Sequence, residues 1–161
     1  MKLRSSSSLF VFTLSLLPQQ SRQEASHVRR PGPAPALASQ VEVRRTTYGV
    51  PHIKAENLEA AGYALAYVQL EDYGPRVALG LLRARGEMGK WFGRDSMEGD
   101  FNARLEYARA VEVYPLLDDE TRAMYAGFAV GVNRYVELHP DEYPAGFDTK
   151  FTGFDVAARD V

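Results

Sequence analysis

Hydrophobic and polar residues alternate at the start of Val41-Glu42-Val43-Arg44-Arg45-Thr46-Thr47, where the β-branched content also predicts a strand. Tyr48-Gly49 then offers a turn, because glycine takes positive φ without a Cβ penalty. Val50 to Ala55 reads as a second short strand. Pro51 is restricted to an edge or to the strand start, since it removes one ladder donor. A hairpin results. From Asn57 the spacing becomes helical: Asn57 is a favourable N-cap, and Glu59 suits the positive end of the helix. Leu58, Ala61, Leu65, Val68 and Asp72 fall on one stripe, widened by Ala60, Ala64 and Tyr67. Gly74-Pro75 stops this helix and opens another, which carries Val77, Leu81, Ala84, Met88 and Trp91 inward and is closed by Gly93. A third helix begins after Asp118 or Asp119, points Met124, Tyr125, Phe128, Val132, Tyr135 and Val136 inward, and ends before Pro140. The stretch from Pro140 to Thr152 is rich in Pro, Gly and aromatics and is expected to be an ordered loop or docking segment.

A hairpin with three amphipathic helices gives an α+β pattern that is poorly self-contained. Two strands are marginal alone, and nothing else in the pattern extends the sheet. The pattern therefore asks for a partner sheet.

The first forty residues differ in kind. Lys2 and Arg4 precede the apolar run Leu9 to Leu17, which Pro18 ends. This is the order of a secretory signal, and the run is too short to span a bilayer. Residues 1–20 are thus a signal-like leader, and a secreted or periplasmic location is expected. Ala36-Leu37-Ala38 has the small-residue form of a cleavage site but lies far downstream of the run. Residues 21–40 are rich in Pro, Gln, Ser and Arg and are expected to be a disordered linker.

Composition narrows the chemistry. The 161 residues are 45% hydrophobic and 25% charged, as in ordinary globular chains. A net charge of -2, with arginines interleaved among carboxylates, argues against a nucleic-acid partner. Zero cysteines exclude disulfides, thiolate catalysis and Cys-ligated zinc. His27, His52 and His139 lie far apart, so no zincin-type metal pair exists.

The candidate chemical residues all have plainer readings. His52, in the turn-strand segment, has no base partner nearby and reads as a hydrogen-bonded packing residue. Glu71 and Asp72 could form a paired-carboxylate or cation site, but beside Arg76 they read as an anchoring ion pair. Asp100 and Arg104 are spaced to bridge on one helical turn. Ser5 to Ser8 belong to the leader, and Ser96 lacks a G-x-S-x-G context. No catalytic, cofactor-binding or metal residue is assigned.

The order Tyr48-Gly49-Val50-Pro51-His52-Ile53, a Gly62-Tyr63 helix ending in Glu71-Asp72, Gly86 and Gly93, Asp100 with Arg104, Gly127, Gly131 and Asn133, and Phe154-Asp155-Val156 resembles the penicillin acylase family. The resemblance covers residues 41–161. Tyr48 and Arg83-Ala84-Arg85-Gly86-Glu87 are most similar to the acyl-homoserine-lactone and aculeacin acylase branch. It implies part of an αββα N-terminal-nucleophile hydrolase sandwich, with this chain supplying a short hairpin and mainly outer helices. It implies a precursor that cuts itself to expose a β-chain serine, whose α-amine is the base for attack on a small-molecule acyl amide. Residues 41–161 would then be a partial α-chain, with the β-chain of the same precursor as partner and a structural calcium site completed beyond residue 161. Ala64 and Ala66 stand where the family often has glycine, Tyr73 where it often has arginine, and Val130 where it often has aspartate. The alternative is a non-catalytic helical interaction module or a degenerate gene fragment.

Overall fold

The computed structural model describes Gly32 and residues 34–160; the leader, including Ser5 to Ser8, and His27 lie outside them. Strand β1 (Val41–Arg45) pairs antiparallel with β2 (Pro51–Ala55), with Val41 opposite Ala55 and Arg45 opposite Pro51. The strands are shorter than the alternation suggests, because residues 46–50 form the turn. Thr46 donates its N–H to the Val50 carbonyl at 3.0 Å, and its hydroxyl accepts the Val50 N–H at 3.1 Å. Gly49 takes φ 81° there. Pro51 opens β2, where its missing N–H costs least.

Helix α1 (Leu58–Tyr73) starts as expected at Asn57, whose side-chain oxygen accepts the Ala60 N–H at 2.8 Å. The other side-chain atom of Asn57, Nδ2, donates to Gln40 at 2.7 Å. Within the stretch expected to be disordered, Ala36–Gln40 instead forms a short 3-10 helix against this cap, and Gly32 is hydrogen-bonded to Glu137 and Arg134. The anticipated stripe on α1 is also too narrow. Ala60, Tyr63, Ala64, Ala66, Val68 and Leu70 are all buried, while Leu58 is exposed. α1 is enclosed on several sides, so it is apolar nearly all round rather than amphipathic.

The second expected helix is two. α2 (Arg76–Arg85) ends at Gly86, which has φ 73° and donates its N–H to Arg83 and Leu82; α3 (Met88–Phe92) follows. A left-handed glycine C-cap stops a helix whatever its apolar spacing. α4 (Asp100–Val113) and α6 (Gly153–Asp160) are elements the pattern did not single out, and α5 (Asp119–Leu138) is the third helix expected. Asp118 caps α5 by accepting the Thr121 N–H at 2.8 Å.

The core centres on Leu70, Leu81, Leu82 and Val132. α1 and α5 cross at very short range. A Cβ at Gly62 would overlap the Met124 carbonyl, one at Gly127 the Glu59 carbonyl, and one at Gly131 the Tyr63 carbonyl. The loop 139–152 packs as a docking segment. The side-chain amide of Asn133 donates to the Phe151 carbonyl and accepts its N–H, both at 2.8 Å, and Trp91 donates to Thr149 at 3.1 Å.

Candidate functional site

Three polar constellations tie these elements together. The first lies where the hairpin meets α1 and α5. Arg45, at the end of β1, reaches the last turn of α1 and pairs with Glu71 at 3.1 Å and Asp72 at 2.8 Å. The partner of the two carboxylates is therefore Arg45 and not Arg76. The sequence favours the local arginine, but the hairpin delivers one from 26 residues away. The hydrogen bond to Glu71, aided by Asp72, raises the Arg45 pKa despite some desolvation.

Beside this pair opens a cleft of about 470 Å³ lined by Arg45, Tyr67, Glu71, Asp72, Tyr135 and His139. His139 stacks on Tyr135 with ring centroids 3.9 Å apart, and its Nδ1 lies 2.9 Å from the Tyr135 carbonyl oxygen. The Tyr135 hydroxyl donates to Glu142 at 3.2 Å. Burial, and then the charge of Glu71, pushes the Tyr67 phenol up; burial, and then Glu142, does the same at Tyr135. Both phenols stay protonated at neutral pH, and that of Tyr135 acts as a donor. No serine, threonine, cysteine or lysine lines the cleft. It is a clasp between hairpin and helices.

The second constellation holds the break between α2 and α3. Buried Asp100 accepts the N–H groups of Met88 at 3.0 Å and Gly89 at 2.9 Å, while Arg104 Nε donates to the Gly86 carbonyl at 2.9 Å. Asp100 and Arg104 thus do not bridge one another. Each takes a backbone group of the 86–89 turn, which helical spacing alone could not reveal. Asp100 fills the role of an α3 cap that Glu87 does not supply.

The third is buried. Asp155 has 0% exposure and receives Arg85 Nε at 2.6 Å, Arg85 Nη2 at 2.5 Å and the Thr152 N–H at 2.6 Å. Thr152 and Asp155 form the N-terminal box of α6, and the bidentate arginine fixes that helix to α2. Burial works against the Arg85 charge, but the bonds and charge of Asp155 outweigh it and raise its pKa. No spacing rule joins residues 85 and 155; only the sign of the two side chains hinted at the pair.

His52 is exposed on β2 opposite Arg44, and among the described residues its side chain makes no hydrogen bond, so the packing role expected for it is not observed. Ser96 sits in a 3-10 turn, Arg94–Ser96, without a base partner. Among the described residues no three His, Asp or Glu side chains converge as a cation site requires, so these residues alone do not fit the calcium that the family resemblance implies. No helix among them is long and apolar enough to cross a membrane.

Exposed apolar side chains include two groups of interest. At the hairpin turn Tyr48 is 94% exposed and Val50 is also exposed, as is Tyr73 at the end of α1. Along α4 and the turn after it, Phe101, Leu105 and Leu116 are exposed, Leu116 to 81%. The sheet has only β1 and β2 among the described residues, so each strand has one edge without a ladder partner.

Comparison with known proteins agrees with this architecture. The penicillin amidase family profile matches residues 40–158. Acyl-homoserine lactone acylase PvdQ of Pseudomonas putida is 35% identical over 124 residues, covering 70% of this chain and 16% of that protein. Aculeacin-A acylase of Actinoplanes utahensis is 29% identical over 107 residues, covering 58% of this chain and 14% of that protein. The structure of a thermostable penicillin G acylase from Alcaligenes faecalis superposes with a TM-score of 0.61 at 25% identity, covering 74% of this chain and 69% of that one. The chain spans less than a fifth of the length of the curated relatives it matches. The hairpin and surrounding helices correspond to part of the penicillin acylase fold.

Proposed function

The chain belongs to the penicillin amidase family, and from that premise we propose that it is the N-terminal scaffold of an exported acylase that cleaves an acyl group from a linear amide. The observation that carries this reading is the family match over residues 40–158, from the hairpin into α6. The unpartnered strand edges and the exposed Phe101, Leu105 and Leu116 support it, since these are surfaces a larger sheet and its helices would cover.

In this reading the nucleophile belongs to the β-chain of the same precursor. A serine at that chain's start attacks the amide carbonyl, and its own α-amine takes the hydroxyl proton. An α-amine titrates near neutral pH, so it serves as base without a histidine. The present residues contribute position: the Arg45 clasp fixes the hairpin on α1, and the Arg85–Asp155 pair fixes α6 on α2. The calcium of the family would be held by residues beyond this chain. The leader would direct export. Candidate substrates follow from the relatives' names: an acyl-homoserine lactone, aculeacin A or a penicillin.

The test is hydrolysis of those three amides by the 161-residue chain and by the complete reading frame from the same gene. Turnover by the complete frame and none by the chain alone is expected. A frame that stops at Val161 with no β-chain gene beside it, or turnover by the chain alone, would overturn the assignment.

A further inference from the structure

Ahead of the hairpin the chain is fastened to two helices. Gly32 donates its N–H to Glu137 Oε1 at 2.6 Å, and Arg134 Nη1 donates to the Gly32 carbonyl at 2.8 Å. Arg134 also pairs with Glu137 at 3.1 Å, so one ion pair of α5 takes both backbone groups of a single residue. The fit is close: a Cβ at position 32 would stand 3.3 Å from Glu137 Oε1. The Gly32 N–H, and after it Arg134, hold the Glu137 carboxyl below its usual range despite some desolvation. At the other end the Gln40 side chain accepts from Asn57 Nδ2 at 2.7 Å, and the Gln40 carbonyl accepts the Glu56 N–H at 3.1 Å. The Ala36–Gln40 3-10 helix packs against α1, with Leu37 and Ala38 half-buried. Pro31, Pro33 and Pro35 restrict the undocked chain, which lowers the entropy lost on docking.

We propose that residues 32–40 are a permanent strap of the mature protein and that the leader is cut off ahead of Gly32, between Pro18 and that residue. This cut presupposes export, as proposed above. Ala36-Leu37-Ala38 is not the cleavage site, for three reasons. It lies about twenty residues beyond the apolar run, whereas a leader peptidase cuts soon after such a run. A cut after Ala38 would remove Gly32 and leave Arg134 and Glu137 without the backbone they hold. It would also create an α-amine at Ser39, mostly protonated near neutral pH, next to the Gln40 that bonds the α1 cap. A positive charge is unfavourable at a helix N-terminus. The strap precedes the family match, which begins at residue 40, so that match does not account for it. The cut itself is hydrolysis of one peptide bond: water gives its hydroxyl to the leader's carbonyl and a proton to the amine of the mature chain.

The experiment has two arms. The 161-residue chain, tagged at its C-terminus, is expressed in a Gram-negative host, and the first residue of the periplasmic product is read by N-terminal sequencing and intact mass. A first residue between 19 and 32 is expected. A start at Ser39, or anywhere after Gly32, would overturn the cut while leaving export standing. An uncut chain kept in the cytoplasm would overturn the export reading and the cut with it. The second arm is amide hydrogen exchange, by NMR, on the purified 161-residue chain. Gly32 and Ala38 should exchange at least about tenfold more slowly than in a free peptide of residues 31–40. Glu137→Ala should speed exchange at Gly32 about tenfold, the loss of one charge-assisted hydrogen bond, and leave the α2 amides unchanged. Peptide-like rates in the intact chain, or no response to Glu137→Ala, would rule out the strap.

Discussion

The crossing of α1 and α5 and the surface of α4 are both helical and both rich in apolar or small residues, yet they are built to opposite ends. Along the crossing, Gly62, Gly127 and Gly131 let one backbone lie on the other, and Ala66 and Val132 are completely buried. Along α4 only Asp100 and Ala110 are buried, while Phe101 and Leu105 face outward. Apolar content is thus a poor guide to which helix forms the core. The core helix is the one whose smallest side chains coincide with the points of contact. The surface helix is held instead by its polar residues, since Asp100 and Arg104 grip the 86–89 turn.

That contrast can be broken most severely from the buried side. Arg85→Ala leaves the carboxylate of Asp155 buried without its cation, and a loss of about 3–5 kcal/mol in urea unfolding of the 161-residue chain is expected. A loss under 1 kcal/mol would mean that α6 contributes little to the core. Gly127→Ala comes next: the methyl meets the Glu59 carbonyl, so the helices must separate, at about 1–3 kcal/mol. Gly99→Ala is its control, because an added Cβ there meets nothing within 4 Å and should leave the urea midpoint in place. The smallest effect belongs to the surface. Phe101→Ser with Leu116→Ser should change the stability of the chain alone by less than about 0.5 kcal/mol per site. The same pair should lower the yield of processed enzyme when the complete frame is expressed, as measured by the amount of mature β-chain. Equal yields would show that α4 is not a covered surface.

Much of the local structure was readable along the chain. Asn57 and Asp118 cap the helices that the apolar spacing places after them, and Tyr48-Gly49 turns the hairpin. These succeed because a cap or a turn is satisfied by atoms within a few residues. The break at Gly86 is invisible to spacing because the stripe Val77, Leu81, Ala84, Met88 and Trp91 continues across it in register, and only the left-handed φ of the glycine stops the helix. α6 is likewise invisible because its start depends on Asp155 receiving both Thr152 and the distant Arg85. At the candidate site the carboxylates Glu71 and Asp72 were correctly seen as half of an ion pair, but with the wrong arginine. Nearest-neighbour reasoning prefers Arg76, and only the folded hairpin brings Arg45 within 3.1 Å.

By itself, then, the sequence determined the family, the α+β composition and the caps and turns, because each depends on residue identity at short separation. Which arginine meets which carboxylate, which helix is enclosed, and which apolar residues stay in solvent were decided by tertiary structure alone. The reason is that burial and long-range ion pairing depend on how close two segments can approach. In this protein that distance is set by three glycines on two crossing helices, where the absence of side chains carries no pattern a periodicity can report.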